Sequence, residues 1–264
     1  MAYLIFQEGR IAPLILLIVF TIMFLVGISK AKKKLPFIRR IAALEAIEEG
    51  VGRAAEMGRP LMWIPGAAGT SFIGGGTSAA GKMASISILA YAARLAAERG
   101  VRVICGTAWP DDKPIIEDVL LTEYKAAGKP ELFRPEDVRF APGWFPYVTH
   151  AMGWLAREKP ATSLIVGAFG HESLTISEAS FNAGAFGIGG SNSIYQLPWI
   201  ISCNDYSFIG TEMFVAGAYI ARDPDQLGTV SATDWLTWIL IAIIVIGMVV
   251  ITAGSKAVVD ALSI

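Results

Sequence analysis

The sequence predicts an α/β chain: a Rossmann-like three-layer domain with a mostly parallel sheet, flanked by two transmembrane helices. Three observations carry this. Two long charge-free apolar segments lie near the ends, Ile11–Ile28 and Trp235–Gly254. Between them, short apolar runs alternate with segments of helical periodicity. Those runs are continuously apolar rather than alternating, the pattern of strands buried on both faces of a parallel sheet.

The chain has 264 residues, 54% of them hydrophobic and 17% charged. A spanning helix needs about 20 apolar residues, so both end segments qualify. No small-residue cleavage site follows the first, and the basic run Lys30, Lys32, Lys33, Lys34, Arg39 and Arg40 does, which predicts an uncleaved anchor. Only Arg10 precedes that span, so the positive-inside rule puts the central domain in the cytoplasm and makes the protein two-pass. The domain plan is a first span at 1–29, a basic juxtamembrane segment and amphipathic helix at 30–59 and the α/β domain at 60–223. A polar linker at 224–234, a second span at 235–254 and a short tail at 255–264 complete it. The net charge of −1, with its positive part concentrated beside the first span, points to membrane lipids as partners and away from nucleic acid.

The elements follow in order. Residues 41–57 form an amphipathic helix, and "PLMWIPG" (60–66) a buried strand ended by Pro-Gly. A glycine-rich loop covers 67–81. The alanine-rich segment 83–100 is a helix closed by Gly100, followed by a strand over 101–108 and a helix over 111–128. A short strand lies at 138–141, a helix at 146–160, a fourth strand at 161–170 and a helix from His171. "LPWIISCN" (197–204) reads as a fifth strand, and 206–223 as the last helix. Cys105 and Cys203 stand in apolar runs without a metal or redox spacing, which predicts buried free thiols in a reducing compartment.

Two stretches bear on chemistry. "GGGTSAAGKMAS" (74–85) approaches the phosphate-loop pattern, with Gly76, Gly81 and Lys82 at the right spacing. However, Met83 stands where the pattern needs a hydroxyl for Mg²⁺, and Gly76 lies ten positions after the strand end at Gly66. Nucleotide hydrolysis is therefore not expected. A softer role remains, with Gly69, Thr70, Thr77, Ser78 and Lys82 as ligand-binding residues for a small anion, against a loop that packs on a neighbouring subunit. The second stretch is acidic. His171, Glu172 and Glu178 follow one apolar strand, Asp205 follows the next and Glu212 lies in an otherwise apolar helix. Since strand ends of a parallel sheet converge on one edge, His171, Glu172 and Asp205 are expected to share it. Carboxylates in apolar company must be hydrogen-bonded or paired. Capping and buried ion pairs account for such a cluster without catalysis. With only His150 and His171 in the chain, no metal site is expected, and no catalytic residue or cofactor is assigned. "GIGGSN" (187–192) lacks the order of a dinucleotide loop.

In order along the chain stand "GAAGTS" (66–71), "REKPA" (157–161), "GHES" (170–173) with Glu178, "QLP" (196–198), "DYSFIGTE" (205–212) and "AYIARDP" (218–224). Together these resemble an uncharacterised bacterial and archaeal family of membrane-anchored proteins, a domain of unknown function, over roughly 60–228. The resemblance implies a membrane-tethered α/β domain and no known activity. Its pattern does not require lysine at position 82. Thr211 stands where the resemblance leads one to expect a second acid beside Glu212.

Light charge, with Trp109, Trp144, Phe145 and Trp199 near turns and expected at the surface, points to burial against other chains. The expected function is a non-catalytic, oligomerising scaffold or accessory subunit of a larger membrane assembly, as a homo-oligomer and with other membrane subunits. The alternative is a membrane-tethered binding domain or enzyme for a small anionic ligand, a nucleotide or phosphorylated metabolite, at the glycine-rich loop.

Overall fold

A computed structural model describes residues 11–34, 40–69, 71, 73, 76–221 and 224–252. The chain divides into two units, one formed by its two ends and one spanning 39–221.

The larger unit is built on six strands: β1 (Leu61–Ile64), β2 (Val103–Thr107), β3 (Val138–Phe140), β4 (Thr162–Gly167), β5 (Phe186–Ser191) and β6 (Tyr206–Phe208). All pair in parallel, in the order β3-β2-β1-β4-β5-β6, with Leu61 beside both Val103 and Thr162. The helices are α2 (Ala42–Met57), α3 (Gly76–Arg99), α4 (Asp112–Ala126), α5 (Trp144–Glu158), α6 (Glu172–Asn182), α7 (Leu197–Cys203) and α8 (Glu212–Ala221). The first helix among the described residues, α1 (Ile11–Lys33), belongs to the other unit.

Strand side chains alternate between two cores, as pleating requires. Leu61, Trp63, Val103, Cys105, Leu164 and Val166 pack with α2, α3, α4 and α8 on one face. Met62, Ile64, Ile104 and Ile165 meet α5, α6 and α7 on the other. This is the expected three-layer, doubly wound arrangement.

Three local expectations are corrected. Residues 197–204 form helix α7, not a strand: Leu197 and Ile200 are buried while Trp199 and Ile201 are exposed, a helical spacing. The fifth strand is instead "FGIGGS", unrecognised because glycine is disfavoured in strands. Here glycine is required, because a Cβ on Gly187 would lie 2.6 Å from Asn204 Oδ1 and one on Gly189 would strike Ile200. Residues 206–208 form β6, so the last helix of this unit begins only at Glu212.

The second unit pairs α1 with α9 (Pro224–Thr252). The expected linker at 224–234 is thus helical and continuous with the second apolar segment. Both helices are long and apolar enough to cross a membrane. They approach closely through Gly27 and Ala31 on α1 and Gly228 and Ala232 on α9. A Cβ on Gly27 would lie 2.8 Å from Ala232 Cβ, and one on Gly228 2.6 Å from Ile28 Cα. Each helix thus carries a small-xxx-small pair, a spacing that lets helix backbones touch in lipid.

Candidate ligand site at the sheet's switch point

In this strand order the chain leaves β1 toward one side of the sheet and β4 toward the other, so the loops that follow diverge. At their base the two loops are laced together: Ala168 N donates to Pro65 O at 2.9 Å and Ala68 N to Ala168 O at 3.2 Å. Gly66 lies at φ +80° with its α-carbon against the Ala168 carbonyl, where any side chain would collide.

Glu172, the first residue of α6, is 1% exposed. Its Oε1 accepts Ala67 N at 3.0 Å, and its Oε2 accepts Gly170 N at 2.9 Å and Trp144 Nε1 at 2.7 Å. Three donors, together with the positive end of α6, satisfy a carboxylate that burial would otherwise penalise.

Lys82, in the second turn of α3, is fully buried. Its Nζ stands 3.9 Å from Asp112 Oδ2 and 5.5 Å from the centre of the Trp109 ring. Thr107, at the end of β2, donates from Oγ1 to Asp112 Oδ2 at 3.3 Å. Burial pulls the Lys82 ammonium down to about 8, and the charges of Asp112 and then Glu172 resist that fall. Beside this group lies Tyr147, in the first turn of α5. Its hydroxyl and Trp109 Nε1 are buried without a hydrogen-bond partner among the described residues. Burial, then the negative charge of Glu172, push the Tyr147 phenol well above its ordinary value. The Gly66 amide opposes this, without reaching good hydrogen-bonding geometry.

The starts of α3, α4, α5 and α6 therefore contribute Lys82, Asp112, Trp144, Tyr147 and Glu172 to one region at the carboxyl edge of β1, β2 and β4. Helix α3 begins at Gly76, earlier than expected, so Gly81 and Lys82 sit inside it. Gly81 is needed there: a Cβ would lie 2.7 Å from Asn192 Cγ in the loop after β5.

Of the expected anion-site residues, Gly69 (φ +75°) has its α-carbon directly over the half-buried Ser78. Lys82 is closed off from solvent, and among the described residues its Nζ faces Asp112 and Trp109. Thr70 lies outside the described residues. Thr77 is helical, but its side chain lies outside them too.

The five expected acidic-cluster residues are spread across the unit. Glu172 is in the region just described. His171 and Glu178 are exposed on the same segment. Glu212 opens α8 and accepts Ile209 N at 3.0 Å, a cap. Asp205 is at the opposite edge of the sheet, where its Oδ2 accepts Gly187 N at 2.8 Å. Its placement follows from α7, since the chain turns back before Asp205 instead of ending a strand there. Among the described residues, no three of His, Cys, Asp and Glu gather as metal ligands.

Thr107, Trp109, Asp112, Trp144 and Tyr147 were not expected in a site. Asp112 was readable as an acid shortly after an apolar strand. The aromatic residues carried no such signal. Phe145 and Trp199 are exposed as expected, whereas Trp109 and Trp144 are half-buried.

The family model described as a domain of unknown function, DUF6754, matches residues 2–262, taking in both apolar helices as well as the α/β unit. No curated protein and no solved structure matches the chain.

Proposed function

The chain belongs to the DUF6754 family, and from that premise we propose that it is a two-pass membrane protein whose α/β unit binds a small anionic ligand at the switch point. One observation carries this reading. Four helix starts direct buried polar groups to the diverging loops of a parallel sheet, and two donors there, on Tyr147 in α5 and on Trp109 in the loop before α4, have no partner among the described residues. Ligands of doubly wound sheets bind in this crevice, and the amide-rich start of α3 favours negative charge. In this reading the ligand meets the glycine loop and the Ser78 turn, while Lys82 supplies buried positive charge from beneath. Thermal unfolding of the full chain with nucleotides and phosphorylated metabolites tests it. A true ligand at about 100 times its Kd stabilises by about 2.7 kcal/mol. Gly69→Ala, whose methyl group would lie 2.3 Å from Ser78 Cβ, abolishes the shift. A flat response across the whole panel would sink the proposal.

A second reading, an oligomerising scaffold, is supported by the apolar rim of the same edge. Ile73, Phe145, Ile194, Tyr195 and Ile209 lie in or beside the loops after β1, β3, β5 and β6, and all are exposed. Apolar groups concentrated on one side of a domain suit a subunit contact. Light scattering of the chain in mild detergent separates the readings, because a lone monomer excludes the scaffold alone.

Membrane insertion and the cytoplasmic side rest on the apolar helices and on the four lysines at 30, 32, 33 and 34. Carbonate washing tests the first: extraction into the soluble fraction overturns it. Protease protection in sealed vesicles tests the second.

A further inference from the structure

We propose that the α1/α9 pair carries a binding site for one anionic phospholipid. The inference rests on the membrane reading above, but on different residues from the switch-point site. The close contact at Gly27 and Gly228 leaves a crevice of about 270 Å³ beside it. Its apolar wall is Ile22, Met23, Val26 and Trp235, and its other end is bounded by Lys30, Lys34 and Ser231.

Charge and length identify the occupant. Lys30 and Lys34 stand one helical turn apart and so share a face. Lys32 is engaged, with its Nζ 3.0 Å from Asp225. Lys30 and Lys34 make no ion pair among the described residues. Two such ammonium groups with the Ser231 hydroxyl match a phosphate, while Trp235 belongs to the apolar length below them. From Lys30 to Ile22 the helix rises about 12 Å, close to the roughly 15 Å of one leaflet's hydrocarbon. The crevice therefore offers a charged end and an apolar length in the order a phospholipid presents them. A soluble phosphate would use only the first.

The test reconstitutes the full chain in phosphatidylcholine vesicles containing one-tenth phosphatidylglycerol, extracts it in mild detergent and measures the retained lipid by mass spectrometry. Carbonate washing comes first, so that failure of membrane insertion is recognised separately. The expected result is phosphatidylglycerol retained at about one per chain, enriched about tenfold over the bulk ratio. Lys30→Gln and Lys34→Gln each lower the enrichment about fivefold, the worth of one lysine near a charged lipid surface. Lys33→Gln removes the same charge from a neighbouring groove that shares Ile22, Val26 and Lys30 with the crevice, and lowers retention less than either of them. Val26→Trp fills the crevice without touching a charge and also expels the lipid. Equal losses from all three lysine variants would overturn the proposal, as would retention by Val26→Trp or an absence of enrichment in an inserted chain. Full displacement by soluble glycerol phosphate would overturn it too.

Discussion

Glu172 Oε1 accepts the backbone N–H of Ala67 at 3.0 Å, joining residues 105 positions apart. The bond ties the loop after β1 to the start of α6, across the line where the two halves of the sheet diverge. The other carboxylate oxygen holds Gly170 and Trp144, so one side chain fixes three segments around the crevice.

Glu172→Gln keeps the shape but offers a single acceptor oxygen, leaving at least one of the three N–H donors facing an amide NH₂. Losing a charge-assisted hydrogen bond and stranding its buried donor costs about 2–3 kcal/mol. Urea unfolding of the full chain in mild detergent should show a loss of that size. Glu178→Gln, on an exposed part of the same helix, should change stability by less than about 0.5 kcal/mol.

Lys82 makes stability depend on pH in a defined direction. Its ammonium titrates near 8 when folded and near the ordinary 10.5 when unfolded. Below pH 8 both states hold the proton, and the folded state carries the cost of the buried charge. Between those values the unfolded state alone keeps it, so stability rises with pH. From pH 7 to 9 the rise is about 1 kcal/mol. The Cys105 thiol, pushed up by burial, acts in the opposite direction, but only above its ordinary 9.0. Denaturation curves at pH 7, 8 and 9 should show the rise, and Lys82→Met should flatten it. A wild-type stability that does not rise across this interval would exclude a depressed Lys82.

Gly81→Ala places a methyl group 2.7 Å from Asn192 Cγ. Relief of such a clash costs about 1–3 kcal/mol. Asn192→Gly removes the obstacle, whereas alanine would keep a Cβ 3.0 Å away. The double variant with Asn192→Gly should therefore recover most of the loss, with a coupling above about 0.5 kcal/mol in a double-mutant cycle. Additive losses would mean that the glycine serves the helix alone.

The two thiols should separate by access. Cys105 is fully buried and its pKa is raised, while Cys203 is partly exposed at the end of α7. Thiolate is the reactive form, so a maleimide reagent should label Cys203 in the native chain and reach Cys105 only after denaturation. Mass spectrometry of tryptic peptides reads this directly.

Three of the first four strands were legible because a parallel strand covered on both faces must be a continuous apolar run, as "LMWI", "VICGT" and "TSLIVG" show, whereas the edge strand "VRF" is buried only at Val138. Residues 197–203 misled because seven residues with a central apolar run do not distinguish a short helix from a buried strand. Strand β5 was hidden by Gly187, Gly189 and Gly190, whose reason is the approach of α7 and β6. Of the site, Glu172 was legible as an acid among apolar residues that had to be satisfied. Its partners were not, because two are backbone amides and the third is an indole 28 positions away.

By itself the sequence determined the layered α/β class, the two long apolar helices and the need to satisfy Glu172, since each follows from local hydrophobic pattern and desolvation. Tertiary structure alone decided that Lys82 turns inward to Asp112 rather than outward as the surface lysine of a phosphate loop. It also sent Asp205 to the far edge of the sheet and converged four helix starts on β1 and β4. Strand order and crossover direction are long-range choices, made by packing two cores at once. No short stretch of residues records them.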